Sequence, residues 1–297
     1  MIYKLPKDRI LFWQISWTRR NFAAINKSFM EVRAKKALGQ HFLTDQKIAQ
    51  AIVAALQHPS ADVMDVLEIG PGMGVLSQYL LGRDDINLKM IEIDTESVEY
   101  LERHFSEARG RVIYGDFLKL DIDRLFPGEF NVIGNFPYNI SSQIFFRILD
   151  YRSRIPQTVC MIQKEVAERI AEGPGSKTYG ILSVLLQSWY DIEYLFTVGS
   201  GAFAPPPKVQ SAVIRLTRNS RTELGCDENS FKSIVKTAFG QRRKTLRNSL
   251  KPVIAAKAAR EGWDAETLAS FISAPVFELR PERLGVEDFI ELTRILS

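Results

Sequence analysis

The 297-residue sequence predicts an α/β fold: a doubly wound domain with a seven-stranded sheet, followed by a small helical unit. Three observations predict it. Short apolar runs recur between helical patterns, as parallel strands alternating with helices do. The first run ends in a glycine turn, Glu68-Ile69-Gly70-Pro71-Gly72-Met73-Gly74, from which a helix follows to residue 81. Beyond the polar stretch 218–229 the strand pattern gives way to helical spacing.

In chain order, residues 1–29 mix basic residues with Phe12, Trp13, Trp17 and Phe22 around an apolar piece too short for a signal-peptide core. They read as a non-native or disordered extension, with the protein starting at Met30; a basic arm gripping RNA is the alternative. Residues 30–218 form the sheet domain and 219–297 the helical one. Helical spacing of Ile48, Ala51, Ile52, Ala55 and Leu56 predicts a helix over 45–56. Strands are expected at 66–69, 89–93, 111–114, 131–133, 158–163, 190–197 and 210–216. Helices are expected at 139–151, from 164, and at 182–189. The stretch 199–207 is too rich in glycine and proline for regular structure. In the helical unit, Phe231, Ile234, Val235 and Ala238 share a face, and further helices lie near 265–272 and 286–296.

Composition narrows the function. Hydrophobic residues make up 45% and charged residues 25%, and no apolar run reaches the length of a membrane span. Cys160, Cys226, His41, His58 and His104 are scattered, which argues against a metal centre. The net charge of +4 is compatible with a polyanionic partner.

The strand ends carry the chemistry, because ligands of such sheets sit outside the carboxyl ends of the strands. The glycine turn reads G-x-G-x-G, not the dinucleotide G-x-G-x-x-G, and Glu68 beside it is a poor neighbour for a pyrophosphate. It suits a ligand carrying an amine and a sulfonium, such as S-adenosylmethionine, approached by the backbone of Gly70 and Gly72. Glu92 can accept from ribose hydroxyls. Asp116 can accept from an adenine amine, with Phe117 packing near the ring. Each acid alone also fits a cap or a solvated turn.

The fourth strand delivers Asn135-Phe136-Pro137-Tyr138. An exocyclic nucleobase amine is a poor nucleophile. The Asn135 oxygen and a backbone carbonyl beside Pro137 can accept from it, while Tyr138 stacks on the base and Phe203 faces Tyr138 across it. A plain strand-to-helix turn is the competing reading. Lys35, Lys36 and Lys208 are candidate phosphate contacts. Arg242, Arg243, Lys244, Arg247 and Lys251 form an acid-free basic run on a helix, suited to RNA.

These motifs, with Leu38-Gly39-Gln40-His41-Phe42-Leu43, Gly115-Asp116-Phe117-Leu118, Asn139-Ile140-Ser141-Ser142 and Pro205-Pro206-Pro207-Lys208-Val209-Gln210-Ser211, resemble the small-subunit ribosomal RNA adenine dimethyltransferases from about Ala34 to the C-terminus. The resemblance implies S-adenosylmethionine contacts at His41, Leu43, Gly70, Glu92, Asp116 and Asn135. It further implies N6,N6-dimethylation of two adjacent adenines in the 3′-terminal hairpin loop of small-subunit (16S) rRNA, coupled to subunit maturation. The implied partner is the immature 30S subunit, met by a cytoplasmic monomer. His41 stands where many members carry Asn, and Phe136 where many carry Leu. A large-subunit rRNA adenine methyltransferase and a mainly non-catalytic ribosome-assembly factor are the competing functions.

Overall fold

A computed structural model describes residues 32, 34, 35, 38–57 and 62–297. The expectations for residues 1–29 and for Lys36 lie outside them. Seven strands form one sheet: β1 (Met64–Ile69), β2 (Ile86–Glu92), β3 (Val112–Tyr114), β4 (Asn131–Asn135), β5 (Gln157–Gln163), β6 (Tyr190–Val198) and β7 (Ser211–Arg218). Their order is β3-β2-β1-β4-β5-β7-β6. All neighbours are parallel except β7, which runs antiparallel to both β5 and β6. The order reverses between β1 and β4, so a crevice opens at their carboxyl ends.

The apolar runs arise because both faces of the sheet are covered. Successive side chains point to opposite faces. Thus Leu67, Ile69, Val132, Cys160, Ile162 and Ile214 enter one core, while Val66, Ile133, Val159, Met161 and Val213 enter the other. The first core continues without a break into the C-terminal helices. Phe239 meets Tyr179 at 6.2 Å between ring centroids and Phe289 at 5.8 Å.

Helix starts follow local chemistry. Asp45, Asp94, Asp227 and Asp264 each cap a helix by accepting backbone N–H groups, at Gln46–Ala55, Thr95–His104, Glu228–Gly240 and Ala265–Ile272. The helix Thr95–His104 adds to the sequence reading. Its signal is Asp94 followed by Ser97, Tyr100 and Leu101 on one buried face.

Three expectations are corrected. The helix after the glycine turn is only Ser77–Leu80, because Gly70, Gly72 and Gly74 take left-handed conformations that keep the preceding segment in turns. The stretch 199–207 is partly regular: Phe203–Ala204 pairs antiparallel with Phe42–Leu43, burying Leu43 and Phe203 together. The basic run is not one helix. Arg242, Arg243 and Lys244 lie in the turn between Glu228–Gly240 and Leu246–Ser249.

Gly134, inside β4, sets how closely β1 and β4 approach. A Cβ there would stand 2.5 Å from the Ile69 carbonyl oxygen and 3.1 Å from the Phe136 ring. Backbone on one side and a buried ring on the other leave no room to yield. Gly134→Ala is expected to lower unfolding free energy by about 2 kcal/mol or more in urea melts; an unchanged midpoint would contradict this packing.

Candidate nucleotide and base site

A cavity of about 220 Å³ lies at the carboxyl ends of β1, β2 and β4. The structure brings His41, Leu43, Gly70, Gly72, Glu92, Asp116, Phe117, Asn135, Pro137 and Tyr138 to its walls. Glu68 joins them, so three acidic side chains line the cavity, while among the described residues no lysine or arginine does. Such a lining suits a cationic ligand and disfavours a pyrophosphate.

Glu92 ends β2 and is 4% exposed. Its carboxylate accepts N–H groups from Gly72, Ile93 and Asp94, each at 2.9 Å. Burial pushes this carboxyl up, and the N–H groups of Asp94, Gly72 and Ile93 oppose that. A carboxylate offers about four acceptor positions, so capacity remains for a ligand hydroxyl. The left-handed Gly72 places its N–H on Glu92; a Cβ there would stand 3.0 Å from the Phe42 ring. Ile93 is 45% exposed beside Glu92 and lines the cavity, an apolar surface for a purine. Sequence reasoning missed Ile93, because its side chain is indistinguishable from an ordinary strand residue.

Glu68 is buried on β1 and accepts from the Ser77 hydroxyl at 2.7 Å. Burial pushes its carboxyl up to about 8, against the Ser77 hydrogen bond and with help from Glu92. Asp116 accepts from the Leu118 N–H at 2.9 Å, and Lys119 approaches it at 3.7 Å.

At the end of β4, the Asn135 Nδ2 donates to the His41 carbonyl at 3.0 Å. This fixes the amide orientation and leaves Oδ1 as the acceptor end. The Tyr138 hydroxyl hydrogen-bonds the Ser211 hydroxyl at the start of β7. The ring near Tyr138 is His41, with centroids 5.4 Å apart. His41 Nδ1 in turn contacts the Pro205 carbonyl at 2.9 Å.

Phe203 is a correction. It lies outside the cavity walls, 4% exposed, because its pairing with Leu43 turns the ring into the core. Lys35 is another. Its ammonium, 37% exposed, pairs with Asp94 at 2.5 Å and Glu96 at 3.0 Å, so its charge already has partners within the protein. Arg242 donates to the Ser176 carbonyl at 3.1 Å, and Arg247 pairs with Glu278 at 2.8 Å. Lys208, Arg243 and Lys244 are exposed.

Sheet order, crevice and strand-end groups define a Rossmann-like methyltransferase fold. The chain belongs to the ribosomal RNA adenine dimethylase family, whose model matches residues 31–266. It is 59% identical over 266 residues to a ribosomal RNA small subunit methyltransferase A of Parabacteroides distasonis, covering 89% of this chain and 94% of that protein. Its counterpart in Porphyromonas gingivalis is 57% identical over 270 residues, covering 90% and 99%. Among solved structures, a dimethyladenosine transferase from Plasmodium falciparum superposes with a TM-score of 0.69 at 25% identity, over 85% of this chain and 96% of that one. The 23S rRNA methyltransferase ErmE shares the fold, with a TM-score of 0.60 at 24% identity, over 85% and 99%.

Glu68 carries a pH signature. Its folded value, about 8, lies above its ordinary value of 4.5, so the stability tied to its protonation is present below 4.5 and lost as pH rises towards 8. In Glu68→Gln, the cofactor-free protein is expected to show a shallower fall in Tm between about pH 5 and 8.5 than the parent. Superimposable Tm profiles would remove Glu68 as the cause.

Proposed function

We propose that this protein uses S-adenosylmethionine to dimethylate N6 of two adjacent adenines in the 3′-terminal hairpin loop of small-subunit ribosomal RNA, during subunit maturation. It acts on the immature small subunit as a cytoplasmic monomer; no described helix is long and apolar enough to cross a membrane. The observation that carries the reading is the orientation of Asn135, whose Nδ2 is committed to the His41 carbonyl while Oδ1 is the acceptor end. The small-subunit relatives at 57–59% identity support that substrate over a large-subunit one.

The cationic ligand fits the acid-lined cavity. Glu92 holds the ribose hydroxyls, Asp116 accepts from the purine amine, and Gly70 and Gly72 admit close backbone approach. His41 and Leu43 close the cavity from the N-terminal segment, and Phe117 and Ile93 flank the purine. S-adenosylmethionine supplies an electrophilic methyl group when bound.

Asn135 Oδ1 accepts from the amine of a flipped adenine, drawing its nitrogen towards a tetrahedral geometry. The Phe136 carbonyl, beside Pro137, is the second acceptor. Pro137 fixes the backbone between them. Tyr138 gives the base a stacking face, its hydroxyl anchored on Ser211. Phe203 acts from beneath, holding the Phe42–Leu43 ladder in place. No strong base is required, because an alkylated amine is acidic and its proton leaves late to Asn135, backbone or water. Positioning therefore does the catalysis. RNA phosphates fall to Lys208, Arg243 and Lys244, with Arg242 and Arg247 shared between RNA and their internal partners.

With labelled cofactor and unmodified small subunits, mapping is expected to place the label on two neighbouring adenines of that loop. Asn135→Ala is expected to lower turnover by about 100-fold or more with Tm retained. Near-normal rates, or label elsewhere, would overturn the assignment. Replacing Arg243 and Lys244 together by Glu is expected to weaken RNA binding and reduce the salt slope by about 2. An unaltered slope would remove this turn from the RNA surface.

A further inference from the structure

Residues 38–43 line the cavity, and they and Lys35 are fastened on both sides. On the β2 side the fastening is Asp94, a residue only 2% exposed. Its two oxygens accept from Lys35 Nζ at 2.5 Å, Gln40 Nε2 at 3.3 Å, the Ser97 hydroxyl at 3.1 Å and the Glu96 N–H at 3.3 Å. Gln40 also accepts the Lys35 N–H at 2.8 Å, closing a loop of hydrogen bonds at that end. Burial pushes the Asp94 carboxyl up, but Lys35, Gln40 and Ser97 together hold it below its ordinary value, so the charge is retained.

On the β4 side the segment meets the catalytic amide. Asn135 donates to the His41 carbonyl. Gly39, with a φ of 64°, lies so close to Asn139 that a Cβ would stand 2.6 Å from the Asn139 Oδ1. Between the two fastenings, Leu38, Gly39, Gln40 and His41 form part of the cavity wall. Asp94 also donates its own N–H to Glu92 at 2.9 Å, so one residue touches both the segment and the ribose-holding acid.

We infer that Asp94 is a positioning residue: by holding Lys35 and Gln40 it keeps residues 38–41 against the cofactor cavity, and through the His41 carbonyl it sets the Asn135 amide. The inference rests on reading this cavity as the S-adenosylmethionine site. Its logic is a conformational equilibrium. When the segment is loose, the cavity lacks one wall and Asn135 lacks the acceptor that orients it. Ligand then binds only the fraction of molecules in which the segment is fastened.

The test uses S-adenosylhomocysteine and the full chain, without RNA. Calorimetry measures affinity, and hydrogen exchange follows amides 38–43. Asp94→Asn and Lys35→Met are each expected to weaken binding by about tenfold and to raise exchange over 38–43. The double variant is expected to be no weaker than either single one, because both break the same fastening. Additive losses would mean that Asp94 acts only as a helix cap, and would overturn the inference. So would raised exchange with unchanged affinity. If Asp94→Asn does not fold, Lys35→Met decides alone, and parental affinity in it overturns the inference. Failure of the parent protein to bind S-adenosylhomocysteine would instead overturn the proposed function.

Discussion

One hydrogen bond joins the two halves of the site: Asn135 Nδ2 to the His41 carbonyl. Asn135 stands at the tip of β4, held there by pairing with Met161 of β5. His41 belongs to a segment with little regular structure of its own. The amide thus borrows its orientation from a part of the chain 94 residues away. An unconstrained asparagine could present either end to a base, and only one end accepts a hydrogen bond from an amine. The flanking contacts serve this bond. His41 is braced on the Pro205 carbonyl, and the Phe42–Leu43 ladder anchors the segment onto Phe203.

The acids beside it come at a cost to stability. Glu68 and Glu92 are buried near one another, and each raises the free energy of the ionised state of the cofactor-free protein. Three backbone N–H groups ease the burden at Glu92, whereas Glu68 has one hydroxyl, from Ser77. A ligand with permanent positive charge relieves both. The same arrangement therefore opposes the empty state and favours a cation over a phosphate-bearing ligand.

Much of this was legible in the sequence, for identifiable reasons. The sheet strands bury both faces and so appear as unbroken apolar runs, and the glycine turn requires left-handed conformations that Gly70, Gly72 and Gly74 supply. The strand-end groups Glu92, Asp116 and Asn135 could be aligned because parallel topology places every strand's carboxyl end on one side. What escaped was long-range. A basic Lys35 looks the same whether it faces phosphate or, as here, Asp94 across 59 residues. Phe203 looks the same facing a base or a core, and its fate is decided by a two-residue pairing with Leu43. The helix Thr95–His104 was readable from Asp94 and its buried face, but its acidic and polar composition masked the period.

The reversed direction of β7 has a further consequence. Because it opposes its neighbours, its first residue, Ser211, lies level with the last residues of β5 and β6, at Gln163 and Val198. The connection from β6 to β7 is therefore a hairpin that stays on the crevice side, and it needs no crossover around the sheet. That hairpin carries Ala202, which accepts from Thr44, and Pro205, which meets His41. An all-parallel sheet would have delivered the seventh strand's beginning to the far rim. The turnabout gives the N-terminal segment a shore to land on.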